Sequence, residues 1–169
     1  FKQKTAYEIV DCDWSSDVCS SDLDGAMVIN DATRIKETLP TLDLLIAGGA
    51  KVILAAHLGR PKGQREPSMS LRPVAAKLAD LINRPVAFVD DCIGEKVEQT
   101  AGLLKEGDIL LLENTRYYDQ EEANDAAFAA QLAKVADVYV NDAFGAAQDR
   151  KSTRLNSSHS QQSRMPSSA

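Results

Sequence analysis

The sequence predicts an α/β fold: an open parallel sheet with helices on both faces, which is a Rossmann-like three-layer sandwich. Two observations predict this fold class. Short apolar runs typical of buried strands alternate along the chain with segments whose apolar residues recur at helical spacing. One of the runs, residues 109–112, is apolar throughout, which is typical of a strand in a parallel sheet covered on both faces. The length of 169 residues fits one domain with a substantial core.

The first predicted elements are a helix and a strand. Apolar residues at helical spacing predict a helix over residues 31–47, with Asp31 at its start and a kink at Pro40. The glycine pair at positions 48 and 49 supplies a left-handed stop for this helix. Residues 51–56 form an apolar run that predicts a buried strand.

The remaining elements continue the alternation of helix and strand. Ser70 is the expected N-cap of a helix that has Pro73 in its first turn and closes at Asn83. A later helix is expected to turn Leu103 and Leu104 toward the core. The further predicted elements are a strand over 86–89, a helix over 93–105, a strand over 109–112, a helix over 125–136 and a strand over 138–140.

Charge and cysteine content limit the classes of function. A formal net charge of -6 argues against binding to nucleic acid or to an anionic membrane surface, because both partners favour a basic footprint. No apolar run approaches the roughly 20 residues of a membrane helix and no signal peptide is recognisable, so we expect a cytoplasmic protein. The three cysteines have neither a paired nor a metal-binding spacing, and we assign no disulfide and no metal. Cys92 follows two aspartates, which disfavour a reactive thiolate.

The two ends of the chain differ in composition from the region between them. Residues 1–23 hold the only tryptophan and two of the three cysteines, and residues 148–169 become Ser-rich after Arg150. Both ends resemble translated sequencing-adapter sequence. We therefore interpret 1–23 as non-native and 148–169 as a disordered, non-native tail; a natural disordered tail is the alternative.

Cationic side chains follow the predicted strands. His57 and Arg60 come directly after the strand at 51–56, and Arg116 follows the strand at 109–112. Arg34 lies in the first turn of the first helix. The carboxyl ends of parallel strands meet at one edge of a sheet, where α/β proteins bind ligands. Arginine holds carboxylate and phosphate groups through a planar fork, and glycine allows backbone to approach a ligand closely. The pattern predicts a site for a small, multiply charged anion.

Each of these residues also has an ordinary structural explanation when it is taken alone. His57 can be a hydrogen-bonded core imidazole, and the two arginines after the strands can be solvated or paired with Glu113 or Glu121. The Gly-Arg-Pro sequence can be only a turn. No glycine-rich nucleotide-binding motif is present in the chain. The residues alone therefore leave the ligand open.

Several motifs occur in an order that resembles a known family. They are DATRI at 31–35, HLGRPKG at 57–63, LLLENTR at 110–116 and VNDAFG at 140–145. Together they resemble the N-terminal domain of phosphoglycerate kinase over residues 24–147. The resemblance implies part of a two-domain glycolytic enzyme. Its N-terminal domain would bind 3-phosphoglycerate or 1,3-bisphosphoglycerate, and its C-terminal domain, absent here, would bind Mg-ATP or Mg-ADP.

The resemblance also implies roles for individual residues. Arg116 would hold the phosphate or carboxylate of the substrate, and Arg34 would face the phosphoryl group in transit as the catalytic residue. No cofactor-binding or metal-binding residue is implied in this chain. The remaining substrate contacts are implied for one loop: His57, Leu58, Gly59 and Arg60.

Two segments depart from the family pattern. The first strand of the family, Val-Asp-Phe-Asn-Val-Pro, has no counterpart at residues 17–23, so we expect one unpaired position in the sheet. After residue 147 the family motif His-Arg-Ala-His is absent, and no nucleotide domain follows. We expect a fragment that supplies most of the 3-phosphoglycerate site and is inactive alone, from a protein that is monomeric when complete. The alternative is a noncatalytic phosphate-binding or interaction module of the same fold.

Overall fold

The computed structural model describes residues 7–13, 19–21, 27–29 and 32–142, with side chains described in the last of these ranges. The strands in these residues are β1 (Tyr7–Asp13), β2 (Cys19–Ser21), β3 (Met27–Ile29), β4 (Lys51–His57), β5 (Val86–Phe88), β6 (Ile109–Leu111) and β7 (Val138–Asn141). The α-helices are α1 (Thr33–Ala47), α2 (Arg72–Ile82), α3 (Glu95–Gly102), α4 (Asp119–Glu122) and α5 (Ala126–Ala133). Two short 3-10 helices lie at Pro67–Met69 and Thr115–Tyr117.

Five of the strands form one parallel sheet in the order β5-β6-β4-β1-β7. β4 lies at its centre, with Ile53 opposite Ile9 of β1 on one side and opposite Leu110 of β6 on the other. β2 and β3 form a separate antiparallel pair. The predicted open parallel sheet is confirmed.

Alternate residues of β4 face two different cores. Val52, Leu54 and Ala56 pack in the cluster that contains residues of α1 and α2, whereas Ile53 and Ala55 pack in the cluster that contains residues of α3. All five are at most 2% exposed. Because successive side chains of a strand point to opposite faces, a strand that is buried on both faces must be apolar at every position. The predicted three-layer sandwich is therefore confirmed.

The strand between β4 and β7 comes from the segment that we interpreted as non-native. β1 runs in register with both neighbours, with Tyr7 opposite Lys51 and Glu8 opposite Val138. The expectation of an unpaired sheet position is therefore wrong. Ladder hydrogen bonds use only backbone N–H and C=O groups, so an extended segment can fill this position without the family's strand sequence. Of residues 17–23, the structure describes only β2.

The helix boundaries agree with the sequence in part. α1 ends as predicted, with Gly49 in the left-handed region at φ 78°, and Asn83 closes α2 at φ 52°. The N-cap position of α2 is Leu71, one residue after the predicted Ser70. α3 is shorter than predicted because it ends at Gly102; the next side chain, Leu103, is 80% exposed, so its predicted core position is wrong.

Some predicted elements cannot be compared with the structure, and some observed elements were not predicted. Asp31 and the predicted tail at 148–169 fall outside the described residues. α4 and the two 3-10 helices were not predicted from the sequence. In the part of the chain that the structure describes, no helix is long and apolar enough to cross a membrane.

Candidate functional site

Two loops at the carboxyl edge of the sheet carry most of the candidate site. His57 is the last residue of β4, and Arg116 lies in the 3-10 helix that follows β6. β4 and β6 are parallel neighbours, so their loops leave the sheet side by side. Arg116 Nη1 donates a hydrogen bond of 3.1 Å to the carbonyl oxygen of Gly59. The fold therefore brings together two loops that are 57 residues apart in sequence.

The direction of α1 places the backbone of Arg34 toward the same edge. α1 ends at Ala47, just before β4 begins at the amino edge of the sheet. With a rise of 1.5 Å per residue, the first turn of a helix of this length lies about 20 Å from its end. The half-buried Arg34 is in that first turn and thus lies toward the carboxyl edge. Its role in the site stays a prediction.

The loop from 58 to 60 changes from buried to exposed within three residues. Leu58 is 3% exposed, Gly59 is half-buried, and Arg60 is exposed. Gly59 has φ +65°, and a Cβ at this position would lie 3.0 Å from Met69 Sδ. The loop therefore presents a cation to solvent from a tightly packed base, an arrangement that a small anion can reach.

Asn114 is a fully buried residue that holds both loops. Its side-chain oxygen accepts hydrogen bonds from the backbone N–H groups of Leu58 (3.3 Å) and Arg116 (3.1 Å). Its side-chain nitrogen donates to the carbonyl oxygens of Leu58 (2.7 Å) and Met69 (2.9 Å). One amide thus fixes backbone on both sides of the candidate site.

Glu113 holds the start of α2 from the neighbouring loop. Its buried carboxylate accepts hydrogen bonds from the Ser70 hydroxyl (2.8 Å) and from the backbone N–H groups of Leu71 (2.8 Å) and Asn114 (2.9 Å). A carboxylate near the N-terminus of a helix also interacts favourably with the helix dipole. The three donors satisfy a buried charge that would otherwise be costly.

Sequence reasoning missed the structural roles of Glu113 and Asn114. We considered Glu113 only as a partner of the nearby arginines, and Asn114 only as part of a motif. The available signal was their position, because two polar residues directly after an all-apolar buried strand must find hydrogen-bond partners inside the protein.

Arg116 is paired with acidic side chains of α4. Its Nε lies 3.4 Å from Glu121 Oε2 and 3.8 Å from Glu122 Oε1, and its side chain is 23% exposed. Neither Arg116 Nε nor Glu121 Oε2 has a hydrogen-bond partner, although both atoms are buried. Burial raises the pKa of the Glu121 carboxyl, and the Arg116 charge opposes this shift. The pairing of Arg116 with Glu121, left open by the sequence, is thus present.

A second group of side chains ties down the outer part of the loop after β4. Arg65 donates to the carbonyl oxygen of Asp90 (2.7 Å) and forms an ion pair with Asp91 (2.9 Å). The Tyr118 hydroxyl donates to Asp91 (2.6 Å), and burial together with this hydrogen bond raises the pKa of Tyr118 to about 12. The Tyr117 hydroxyl donates to the carbonyl oxygen of Glu66. These contacts connect three loops of the carboxyl edge.

Cys92 is a buried structural residue. It is 1% exposed, and its thiol donates to the carbonyl oxygen of Glu113 at 2.9 Å. Burial raises the pKa of the thiol, and the nearby carboxylates of Asp91 and Glu113 add to the shift. The inert character predicted for this cysteine agrees with its surroundings.

The fold and the placement of the cations are those of an anion-binding α/β domain, in which loops at the carboxyl edge of a parallel sheet carry arginines suited to small anions. The sequence matches the family model described as phosphoglycerate kinase over residues 18–164, and the chain belongs to the phosphoglycerate kinase family.

Individual relatives show how much of the family the chain covers. Phosphoglycerate kinase from Synechococcus sp. (strain WH7803) and cytosolic phosphoglycerate kinase from Triticum aestivum are each 55% identical to it over 125 residues, which is 74% of this chain and 31% of theirs. The crystal structure of phosphoglycerate kinase from Pyrococcus horikoshii OT3 aligns with a TM-score of 0.71 at 30% identity, covering 87% of this chain and 36% of that one. The chain thus spans about a third of the length of these relatives.

Proposed function

We propose that the whole protein catalyses reversible phosphoryl transfer between ATP and 3-phosphoglycerate, with ADP and 1,3-bisphosphoglycerate as products. In this proposal the present chain supplies most of the 3-phosphoglycerate site. The observation that carries it is the contact of Arg116 with the loop after β4, at the ligand-binding edge of a chain from the phosphoglycerate kinase family.

The candidate site residues have different roles in this proposal. Arg60 and Arg116 bind the phosphate and carboxylate of the substrate, with His57 and the backbone of residues 58 and 59 completing the contact. Arg34 faces the phosphoryl group that is transferred. Phosphoryl transfer asks the protein mainly to position reactants and to stabilise charge on the phosphoryl oxygens, and arginines serve both purposes.

We infer that Mg-ATP or Mg-ADP binds to the region of phosphoglycerate kinases that this chain does not cover. Magnesium requires oxygen ligands, usually carboxylates together with phosphates. Among the described residues, no group of three or more His, Cys, Asp or Glu side chains could hold a metal ion. The described residues therefore do not form a magnesium site.

We also infer that the native part of the chain is residues 24–147, the N-terminal domain, and that the adapter-like ends are foreign to it. The relatives align over 125 residues, about the length of this segment, although the match to the family model extends from residue 18 to residue 164. A cytosolic relative in Triticum aestivum supports a cytoplasmic location, while the relative in Chlamydomonas reinhardtii is a chloroplastic enzyme. The proposed partners are small anionic substrates, without nucleic acid or membrane, and the complete protein is a monomer.

The test is a titration of the ¹⁵N-labelled chain with 3-phosphoglycerate, followed by NMR. We expect weak, salt-sensitive binding that Arg60→Ala or Arg116→Ala weakens by about tenfold, because each substitution removes a charge-assisted hydrogen bond. Arg84→Ala is the matched control, since Arg84 is an exposed arginine at the opposite edge of the sheet. Unchanged binding in both site variants would remove these arginines from the site.

A coupled kinase assay of this chain should show no turnover.

A noncatalytic module of the same fold is the second candidate, and one observation favours it. β1 completes the five-stranded sheet from within the present chain, so the sheet is continuous without further sequence. Sequencing the gene across both ends separates the two functions. Reads that continue into a nucleotide domain support the kinase, whereas reads that reproduce both terminal segments within one open reading frame support the module.

A further inference from the structure

We propose that Asn114 is a positioning residue for the anion site. Its buried side-chain amide sets the distance between the backbone after β4 and Arg116, so that both meet one ligand. The proposal rests on the proposed function and adds a residue that would act without touching the substrate.

Every hydrogen-bonding group of the Asn114 side chain has a partner. An amide has two N–H donors and an oxygen with two lone pairs. The oxygen accepts from the N–H groups of Leu58 and Arg116, and the nitrogen donates to the carbonyls of Leu58 and Met69. Asn114 is 0% exposed, so water does not share these contacts. Four hydrogen bonds to three backbone segments hold a single geometry.

The loop after β4 needs this support because the strand ends at His57, before the backbone that would contact a ligand. β4 ends at His57, and among the residues that the structure describes Leu58 pairs with no strand of the parallel sheet. Asn114 bonds to both the N–H and the C=O of Leu58, as a single opposite residue does in an antiparallel pair. The ordered backbone is thereby extended to Gly59, whose carbonyl accepts from the Arg116 guanidinium.

The same amide orders the partner on the other side. The Arg116 N–H bonds to the oxygen of Asn114, so the arginine backbone and the Leu58 backbone share one acceptor. A ligand that contacts both loops then finds them already in place, and less of its binding free energy is spent on ordering them. Loss of the amide should therefore weaken anion binding and loosen the backbone of both loops, in addition to lowering the stability of the fold.

Asn114→Ser is the most direct variant. It adds no charge near an anion site, and its shorter side chain removes both the acceptor of the Leu58 and Arg116 N–H groups and the donors to the carbonyls of Leu58 and Met69. Thr115→Val is the matched control. Thr115 is the next residue and is 6% exposed, and its side chain donates one hydrogen bond to the Ala56 carbonyl within β4 at 3.2 Å. Its hydrogen bond with the loop after β6 uses the backbone carbonyl, which valine keeps. Asn114→Thr, which fills more of the buried volume and also adds no charge, replaces the serine variant if the latter does not fold.

The experiment uses the full 169-residue chain and two readouts. In the ligand-free state, hydrogen exchange of the Leu58 and Arg116 amides should accelerate by about tenfold in the Asn114 variant and remain within about twofold in Thr115→Val. In the titration with 3-phosphoglycerate, affinity should fall by about tenfold in the Asn114 variant and stay within about twofold in the control, at a temperature where both are folded.

The two readouts separate the possible outcomes. Equal losses of affinity in the Asn114 and Thr115 variants would overturn the proposal, because the effect would then be a general consequence of lost stability. Unchanged exchange at Leu58 and Arg116 in the Asn114 variant would overturn it as well. If the unaltered chain does not bind 3-phosphoglycerate, the proposed function fails, while faster exchange at both amides still establishes that Asn114 couples the two loops.

Discussion

The two edges of the sheet are held together in different ways. At the amino edge, short turns close through backbone hydrogen bonds, such as Ala50 N–H to the Leu45 carbonyl and Gly107 N–H to the Ala50 carbonyl, each 3.0 Å. At the carboxyl edge, the longer loops are held by buried side chains, chiefly Glu113 and Asn114. A turn closed by backbone tolerates many sequences, whereas a loop held by one side chain depends on that residue. Single substitutions should therefore have larger effects at the carboxyl edge.

The edges also differ in the chemistry that they expose. A cavity of about 430 Å³ opens at the amino edge and mixes apolar residues with charges of both signs, Asp43, Arg84 and Glu106. The carboxyl edge instead places arginines around a glycine loop, some of them paired with neighbouring carboxylates. Open α/β sheets bind ligands at the carboxyl ends of their strands. The side-chain hydrogen bonds are thus concentrated where geometry has to be exact for binding.

Replacement of Glu113 should give the largest effect. Glu113→Ala leaves two backbone N–H groups and the Ser70 hydroxyl without their partner in a buried position, and we expect a loss of about 4 kcal/mol in the free energy of unfolding. Urea denaturation measures the loss. Glu106→Ala at the amino edge is the control and should change stability by less than about 0.5 kcal/mol, because Glu106 is exposed. Similar losses in the two variants would contradict the difference between the edges.

Two glycines allow a closer comparison of the edges. Gly59 and Gly49 both have positive φ, 65° and 78°, so alanine costs each about 1 kcal/mol of backbone strain. A Cβ at Gly49 meets its nearest atom, Glu106 Oε2, at 3.9 Å, whereas a Cβ at Gly59 lies 3.0 Å from Met69 Sδ. We expect losses of about 1 kcal/mol for Gly49→Ala and about 2 kcal/mol for Gly59→Ala in thermal or urea denaturation. Equal losses would mean that the loop after β4 is no more tightly packed than the turn after α1.

The same difference between backbone and side-chain contacts decides what could be predicted from the sequence. Periodicity predicted α1, β4 and the two-sided core, because burial of apolar residues repeats regularly along an element. It failed at Leu103, where the helix ends early, and at β1, because ladder hydrogen bonds do not depend on side-chain identity. The contacts of Asn114 join residues 45 and 56 positions apart, and no local pattern in a sequence records such distances.

The smallest expected effect concerns the carboxylates that surround Arg116. Glu121→Gln keeps the size of the side chain and removes the negative charge that lies 3.4 Å from Arg116 Nε. An anionic ligand then no longer competes with Glu121 for the guanidinium, and affinity for 3-phosphoglycerate should rise by about threefold at neutral pH, the magnitude of a partly exposed ion pair. Glu95→Gln, which alters an exposed carboxylate on α3, is the control and should leave affinity unchanged.

The pH dependence of this gain distinguishes competition from a simple change in packing. Burial raises the pKa of Glu121, so this carboxyl ionises at a higher pH in the folded chain than in the unfolded chain. The stability linked to this group is present below its unfolded pKa of about 4.5 and is lost as pH rises through the higher folded value. The ratio of affinities between Glu121→Gln and the unaltered chain should therefore approach one at low pH and increase as Glu121 ionises. The ratio cancels the ionisation of the ligand's own phosphate, and a ratio that is independent of pH would mean that the Glu121 charge does not compete for Arg116.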